Sequence, residues 1–239
     1  IVVVARSIFY QVLYGFWAVL MAFAFLPSLT LPHQAILFVA RFWSASVLLI
    51  LRYTTGLTYR VENQNLVPDG PVIYASKHQS TWDTLFYPYE VKNSVIVLKK
   101  ELYLIPFFGW YAKKYGNIAV NRKSGSSALR KMVREAKIFV LSGRSIVVFP
   151  EGTRTRPGEK HKYHSGVAAL YKNLDLPVVP VALNSGLFWP RRHLIRKPGI
   201  ITLRYLTPIL PGLSREAFMS KLETEIEAAQ IQINQSTEL

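Results

Sequence analysis

The twenty residues SIFYQVLYGFWAVLMAFAFL, Ser7 to Leu26, carry no charged side chain, and this run limits the fold more than any other feature. As a helix it would rise about 30 Å, the thickness of a hydrocarbon layer. It is apolar all round rather than along one stripe, which argues against a helix lying half in water on an ordinary domain surface. A second apolar segment, HQAILFVARFWSASVLLILRYTTG (His33 to Gly56), follows PSLTLP, where Pro27 and Pro32 interrupt any continuous helix. The expectation is a helical hairpin over residues 1–56 that anchors the chain to a membrane. A cleaved signal peptide would have a shorter apolar core, about 7–15 residues, and no second segment directly behind it. Arg41 would cost about 2.5–3.5 kcal/mol at the centre of a spanning helix. A hairpin that enters part way, or that covers the lipid-facing side of the next domain, avoids this cost. Arg6 precedes the first arm, Arg52 and Arg60 follow the second, and the connecting loop is uncharged. That asymmetry places both ends on the cytoplasmic face, hence at the inner membrane. The competing reading is two buried helices of a soluble bundle.

Charge narrows the partner. The 29 Lys and Arg against 14 Asp and Glu give +15, and residues 57–213, with 24 basic and 9 acidic side chains, carry the whole excess. An excess of this size favours an anionic partner: nucleic acid, a lipid headgroup surface or a phosphorylated substrate. With no Cys there is no disulfide framework, no thiolate metal site and no cysteine nucleophile.

From Leu57 onward, short β-like runs alternate with longer helical ones. Strands are expected at 57–62, 71–76, 94–99, 117–120, 145–150, 177–183 and 200–206, rich in Val, Ile and Tyr and bounded by Pro, Gly and Asn. Helices are expected at 81–90, 103–115, 124–142, 165–174 and 215–231. Leu129, Met132, Val133, Ala136, Phe139 and Val140 recur at the helical period, and Ser214 suits the cap of the last helix. The fold class is therefore α/β, a mixed sheet flanked by helices, with residues 57–239 as the catalytic domain and an acidic C-terminal helix covering it.

Four segments could carry chemistry. In ASKHQSTWDT, His78 and Asp83 are five residues apart, a spacing that no regular helix or strand brings together. A strand-to-helix turn could, with Ser80 or Thr81 as cap and Asp83 in the first turn. The Asp would then fix one imidazole tautomer and leave the other nitrogen as a base. The plainer reading is a first-turn carboxylate favoured by the helix dipole. In VVFPEGTRTRPG, Glu151 precedes Gly152, which lets backbone approach a ligand, Thr153, which offers a hydroxyl, and Arg154, a donor fork for phosphate. The alternative there is a surface turn with a Glu151–Arg154 pair. Arg122 in YGNIAVNRKSG and Lys99 with Lys100 in IVLKKEL stand at other strand ends, where ligands of open α/β sheets bind.

In order and spacing, H-x₄-D in KHQSTWDT, GNIAVNR, FPEGTRTR and LPVVPVAL resemble the four sequence blocks of glycerolipid acyltransferases, most closely the bacterial 1-acylglycerol-3-phosphate acyltransferase type. The resemblance covers about residues 55–210, and the N-terminal hairpin matches that family's membrane anchor. It implies that His78, oriented by Asp83, takes the proton of a lysophosphatidate hydroxyl. That hydroxyl attacks the thioester of acyl-CoA or acyl carrier protein without a covalent acyl-enzyme. It further implies that Lys100, Arg122, Glu151, Gly152, Thr153 and Arg154 hold the acceptor, with no cofactor or metal and no nucleic-acid partner. One departure stands out: the family's second block often has Asp before its Arg, where this chain has Asn121. That keeps open a lysolipid acceptor with a different headgroup.

His161 and His164 in HKYH have no acidic or Cys ligand beside them in sequence, which argues against a metal pair. Pro180 in LPVVPVAL points to an edge or bulged strand supporting the site. Trp82 and the aromatics of IPFFGWYAKKYG read as core or membrane-interface residues. No G-x-S-x-G elbow of a serine hydrolase occurs. A non-enzymatic basic protein bound to nucleic acid or membrane fits the charge but not the motifs.

Overall fold

The computed structural model describes residues 1–121 and 124–237. Two helices, α1 (Val2–Ala24) and α2 (His33–Thr55), form a hairpin closed by a tight turn at Leu26–Leu29. Gly56 ends α2 with φ 73°, a left-handed cap that glycine adopts without strain. The chain enters β1 (Leu57–Glu62) at the next residue. Then follow β2 (Ile73–Ser76), α3 (Trp82–Glu90), β3 (Val95–Lys99), α4 (Phe108–Tyr115), β4 (Ile118–Val120) and α5 (Gly125–Leu141). The last elements are β5 (Ile146–Val148), α6 (Gly166–Leu174), β6 (Val178–Leu183), α7 (Ser185–Phe188), β7 (Gly199–Tyr205) and α8 (Arg215–Gln235).

Among the described residues seven strands make one sheet in the order β1-β7-β6-β2-β5-β3-β4. The five from β6 to β4 run parallel, β7 is antiparallel to β6, and β1 is parallel to β7. The carboxyl ends of β6, β2, β5, β3 and β4 therefore share one edge with the starts of β1 and β7. Side chains alternate between two cores, as the pleat requires. Tyr74, Val147, Val179 and Val181 face α1, α2, α3 and α7. Ile73, Ala75, Ile146, Val148 and Val178 face α5, α6 and α8. The helical stripe from Leu129 to Val140 packs into the second core, and the Ser214 hydroxyl accepts the Ala217 N–H at 3.1 Å to cap α8.

The hairpin lies along the sheet. Ile36 and Val39 of α2 are buried against Tyr115 of α4, while Val47, Leu48 and Leu51 join the core of the sheet. Of α1, only Ser7 and Tyr10 are buried. Phe9, Val12, Phe16, Val19 and Phe23 form one exposed apolar stripe with 3- and 4-residue spacing.

Three sequence expectations need correction. Pro180 lies in an interior strand, between β7 and β2. Its carbonyl accepts from Leu206, and its missing donor falls in the gap between that bond and the Val178–Ile209 bridge. The helix expected over 103–115 starts only at Phe108. A 3₁₀ turn occupies Lys100–Leu104, then Pro106 and Phe107, with φ 61°, break the run. β5 stops at Val148 rather than 150, because the chain turns away into the loop that carries Glu151.

Candidate active site

β2 ends at Ser76, and residues 77–81 cross the carboxyl edge into α3. This strand-to-helix turn folds His78 back over Asp83. Imidazole Nδ1 lies 2.9 Å from Asp83 Oδ2. The same oxygen accepts the backbone N–H groups of Gln79 at 2.7 Å and Ser80 at 2.9 Å, and Oδ1 accepts the Ser185 hydroxyl at 2.6 Å. A carboxylate has no proton to give, so Nδ1 carries the hydrogen and Nε2 keeps its lone pair. Asp83 is fully buried, whereas the His78 side chain retains 14% exposure. The ring is clamped on its flank by Phe149, stacked at 4.0 Å. Of the two expected hydroxyl caps, Thr81 makes no side-chain cap bond, whereas Ser80 Oγ accepts the Trp82 N–H at 3.2 Å, and Asp83 accepts the N–H groups of Gln79 and Ser80.

The segment after β5 holds the histidine's main chain at both ends. Glu151 Oε2 accepts the His78 N–H at 2.9 Å, and the Thr155 N–H donates to the His78 carbonyl at 2.8 Å. Glu151 is buried, and its other oxygen pairs with Lys77 Nζ at 2.6 Å. Lys77, also buried, pairs with Glu227 of α8 at 2.6 Å, and Tyr163 donates to the same Glu227 oxygen at 3.0 Å. Burial pushes the Glu151 carboxyl up, against the pull of Lys77, the His78 N–H and Thr155. Glu151, expected to hold the acceptor, is thus turned inward and bonds the main chain of His78. Lys77→Met would leave the Glu151 charge buried without its partner. It should cost about 3–5 kcal/mol, which a thermal melt would read as a fall of roughly 6–20 °C in Tm. A melting point within 2 °C or so of the wild type would refute this role.

Gly152, Thr153, Arg154, Lys99 and Lys100 share the edge. Gly152 turns with φ 65°, and Thr153 and Arg154 are half-buried. Arg154 Nη1 donates to Thr81 Oγ1 at 2.7 Å, two residues from Asp83. Burial is the main cause that pushes the guanidinium of Arg154 below its ordinary value. Lys99 and Lys100 are exposed where β3 ends, two strands from β2, or about 10 Å across the sheet. Arg122 lies outside the described residues. His161 lies 3.6 Å from Glu159, and His164 is exposed. Among the described residues no three His, Cys, Asp or Glu side chains gather to hold a metal. Trp82 is core, packed on Tyr59 and Phe86, whereas Phe108 and Trp110 of α4 are about half exposed.

Sequence reasoning missed Lys77, Phe149, Thr155, Ser185 and Glu227. Ser185 and Gly186 follow β6 directly. Gly186 donates to Gln79 Oε1 at 3.0 Å, and a Cβ there would meet the Gln79 Cβ at 3.0 Å. The block ending in VPVAL thus supports the turn that carries the His–Asp pair.

The family model described as Acyltransferase matches residues 58–184, more than half of the chain. The chain belongs to the acyltransferase family. Among its relatives is the 1-acyl-sn-glycerol-3-phosphate acyltransferase of Pseudomonas aeruginosa, 35% identical over 164 residues. That alignment covers 69% of this chain and 64% of the relative. The enzyme of the same description from Cocos nucifera is 30% identical, over 57% of this chain and 45% of the relative. The chain thus spans less than two thirds of the length of these relatives. Its fold is that of the 1-acyl-sn-glycerophosphate acyltransferase PlsC of Thermotoga maritima. The two structures superpose with a TM-score of 0.73, at 21% identity, over 97% of this chain and 95% of the other.

Proposed function

We propose that this acyltransferase moves an acyl chain from a thioester, acyl-CoA or acyl carrier protein, to the sn-2 hydroxyl of lysophosphatidate. The products are phosphatidate and a free thiol. The observation that carries this reading is the His78 imidazole. Nδ1 is held by a buried Asp83, and no described residue bonds Nε2, on the edge where Arg154 and Lys100 also stand. Relatives named for that acceptor support the substrate.

Nε2 takes the hydroxyl proton as the oxygen attacks the thioester carbonyl, and Asp83 stabilises the imidazolium so formed. The tetrahedral intermediate collapses, the C–S bond breaks, and the imidazolium returns its proton to the leaving thiolate. No acyl-enzyme intervenes. Incubating the protein with a labelled acyl donor and equal amounts of lysophosphatidate and phosphodiester lysolipids, then identifying the acylated product, tests the acceptor. Phosphatidate as the dominant product supports it. A different product moves the assignment to the second reading, another lysolipid headgroup, which Asn121 keeps open.

The hairpin would act as an in-plane anchor. α2 is committed to the domain along its length, so the exposed stripe of α1, with Phe108 and Trp110, faces lipid. The basic surface would hold anionic headgroups at about 1 kcal/mol per nearby cation, with the catalytic domain on the cytoplasmic side. Replacing both Phe9 and Phe16 by Glu removes about 1.5–3 kcal/mol of burial each. Partition onto anionic vesicles, measured by sedimentation, should fall at least about 10²-fold. Undiminished sedimentation would exclude this face.

A further inference from the structure

The loop between α7 and β7, Pro190 to Lys197, brings Arg191, Arg192, His193 and Lys197 to the carboxyl edge on the side of β2 away from Lys100. We propose that Arg191 and Arg192 complete, with Arg154, a recognition site for the phosphomonoester of the acceptor, and that this site sets its headgroup specificity. The inference rests on the proposed acceptor and goes beyond it, since the four sequence blocks end before this loop.

The acceptor's chemistry sets the geometry required. In lysophosphatidate the reacting hydroxyl and the phosphate ester oxygen stand on adjacent carbons, so the phosphate must lie beside the base. Arg154 is tied to that place through Thr81, at the start of the helix that carries Asp83. Arg191 is half-buried, and its Nη1 donates to the Arg154 carbonyl at 3.2 Å, which fixes the two residues against each other. Arg192 takes φ 61°, a left-handed conformation that glycine adopts freely and arginine does not. Strain of this kind concentrates at ligand sites.

No described carboxylate lies within ion-pair distance of Arg154, Arg191 or Arg192. Besides burial, the positive charges of Arg191 and Arg192 both depress the Arg154 guanidinium, and Asp83 offsets only part of this. Three like charges held close together become favourable when a dianion joins them, and arginine forks suit phosphate oxygens. A phosphomonoester carries about −1.5 to −2 at neutral pH. A phosphodiester carries one charge and a second substituent that the arginines would have to accommodate.

The test measures KM for lysophosphatidate and for the acyl donor in Arg191→Gln and Arg192→Gly. Loss of a charge-assisted phosphate contact should raise the acceptor KM about tenfold or more in each, with the donor KM unchanged. The preference for lysophosphatidate over lysophosphatidylglycerol should fall by a similar factor. Because φ 61° suits glycine, Arg192→Gly should keep or raise Tm, so lost affinity cannot be ascribed to lost structure. Binding of lysophosphatidate to His78→Ala protein, with and without Arg191→Gln, reads the same contact without turnover. An unchanged acceptor KM and affinity, or a rise in donor KM instead, overturns the proposal. A wild type that acylates other lysolipids but not lysophosphatidate sinks the acceptor assignment, and an active wild type indifferent to both arginines sinks the recognition site alone.

Discussion

Asp83→Asn is expected to lower kcat by about 10²–10⁴-fold while the protein stays folded. The geometry separates the two effects. One carboxylate oxygen, Oδ2, accepts from His78, Gln79 and Ser80, and the other accepts only from Ser185. An asparagine can put its carbonyl where Oδ2 was and turn its amide toward the Ser185 hydroxyl, which can accept as well as donate. The hydrogen-bond pattern survives, and the negative charge does not. An opposite charge about 4 Å from the imidazolium is worth about 4 kcal/mol at an effective dielectric near 20, or about 10³ in rate. Steady-state kinetics with a thermal melt on the same sample checks both halves. A rate within tenfold of the wild type would mean that no positive charge develops on His78 during the reaction.

The His–Asp pair was legible because local signals agree. PVIYAS ends a β-like run, the polar turn follows, and WDT opens a helix, so the only way for H-x₄-D to close is the turn that forms. The α/β alternation was legible for the same reason: β1, β6 and α5 begin and end within a residue or two of where Val- and Ile-rich runs and the helical period place them. The buried support of the site was not. Glu151 meets the His78 N–H across 73 residues, and Ser185 meets Asp83 across 102. Pairings at that separation depend on strand order, which one sequence does not encode locally. For that reason Glu151 read as a headgroup contact, whereas its partner is Lys77, the residue before His78. The hairpin was misleading in a subtler way. Its apolar content was plain, yet that content serves two purposes: one side of α2 completes the core of the sheet, and the outer stripe of α1 stays bare. Hydropathy cannot tell which apolar side chain belongs to which.

The site is also tied to the far end of the chain. Glu227 of α8 reaches Lys77, Lys77 reaches Glu151, and Glu151 holds the main chain of His78. The acidic C-terminal helix, expected only as a cover, is therefore linked by buried charges to the main chain of His78.

The central claim is that His78 removes the proton of the acceptor hydroxyl as that oxygen attacks the thioester. It is tested most directly by thiol release from acyl-CoA and acyl carrier protein, with and without lysophosphatidate, by the wild type and by His78→Ala. The account predicts release that depends on the acceptor in the wild type and falls by about 10²–10⁴-fold in the variant. Release by His78→Ala at the wild-type rate would contradict it, and so would a stoichiometric burst of thiol without acceptor, the mark of an acyl-enzyme.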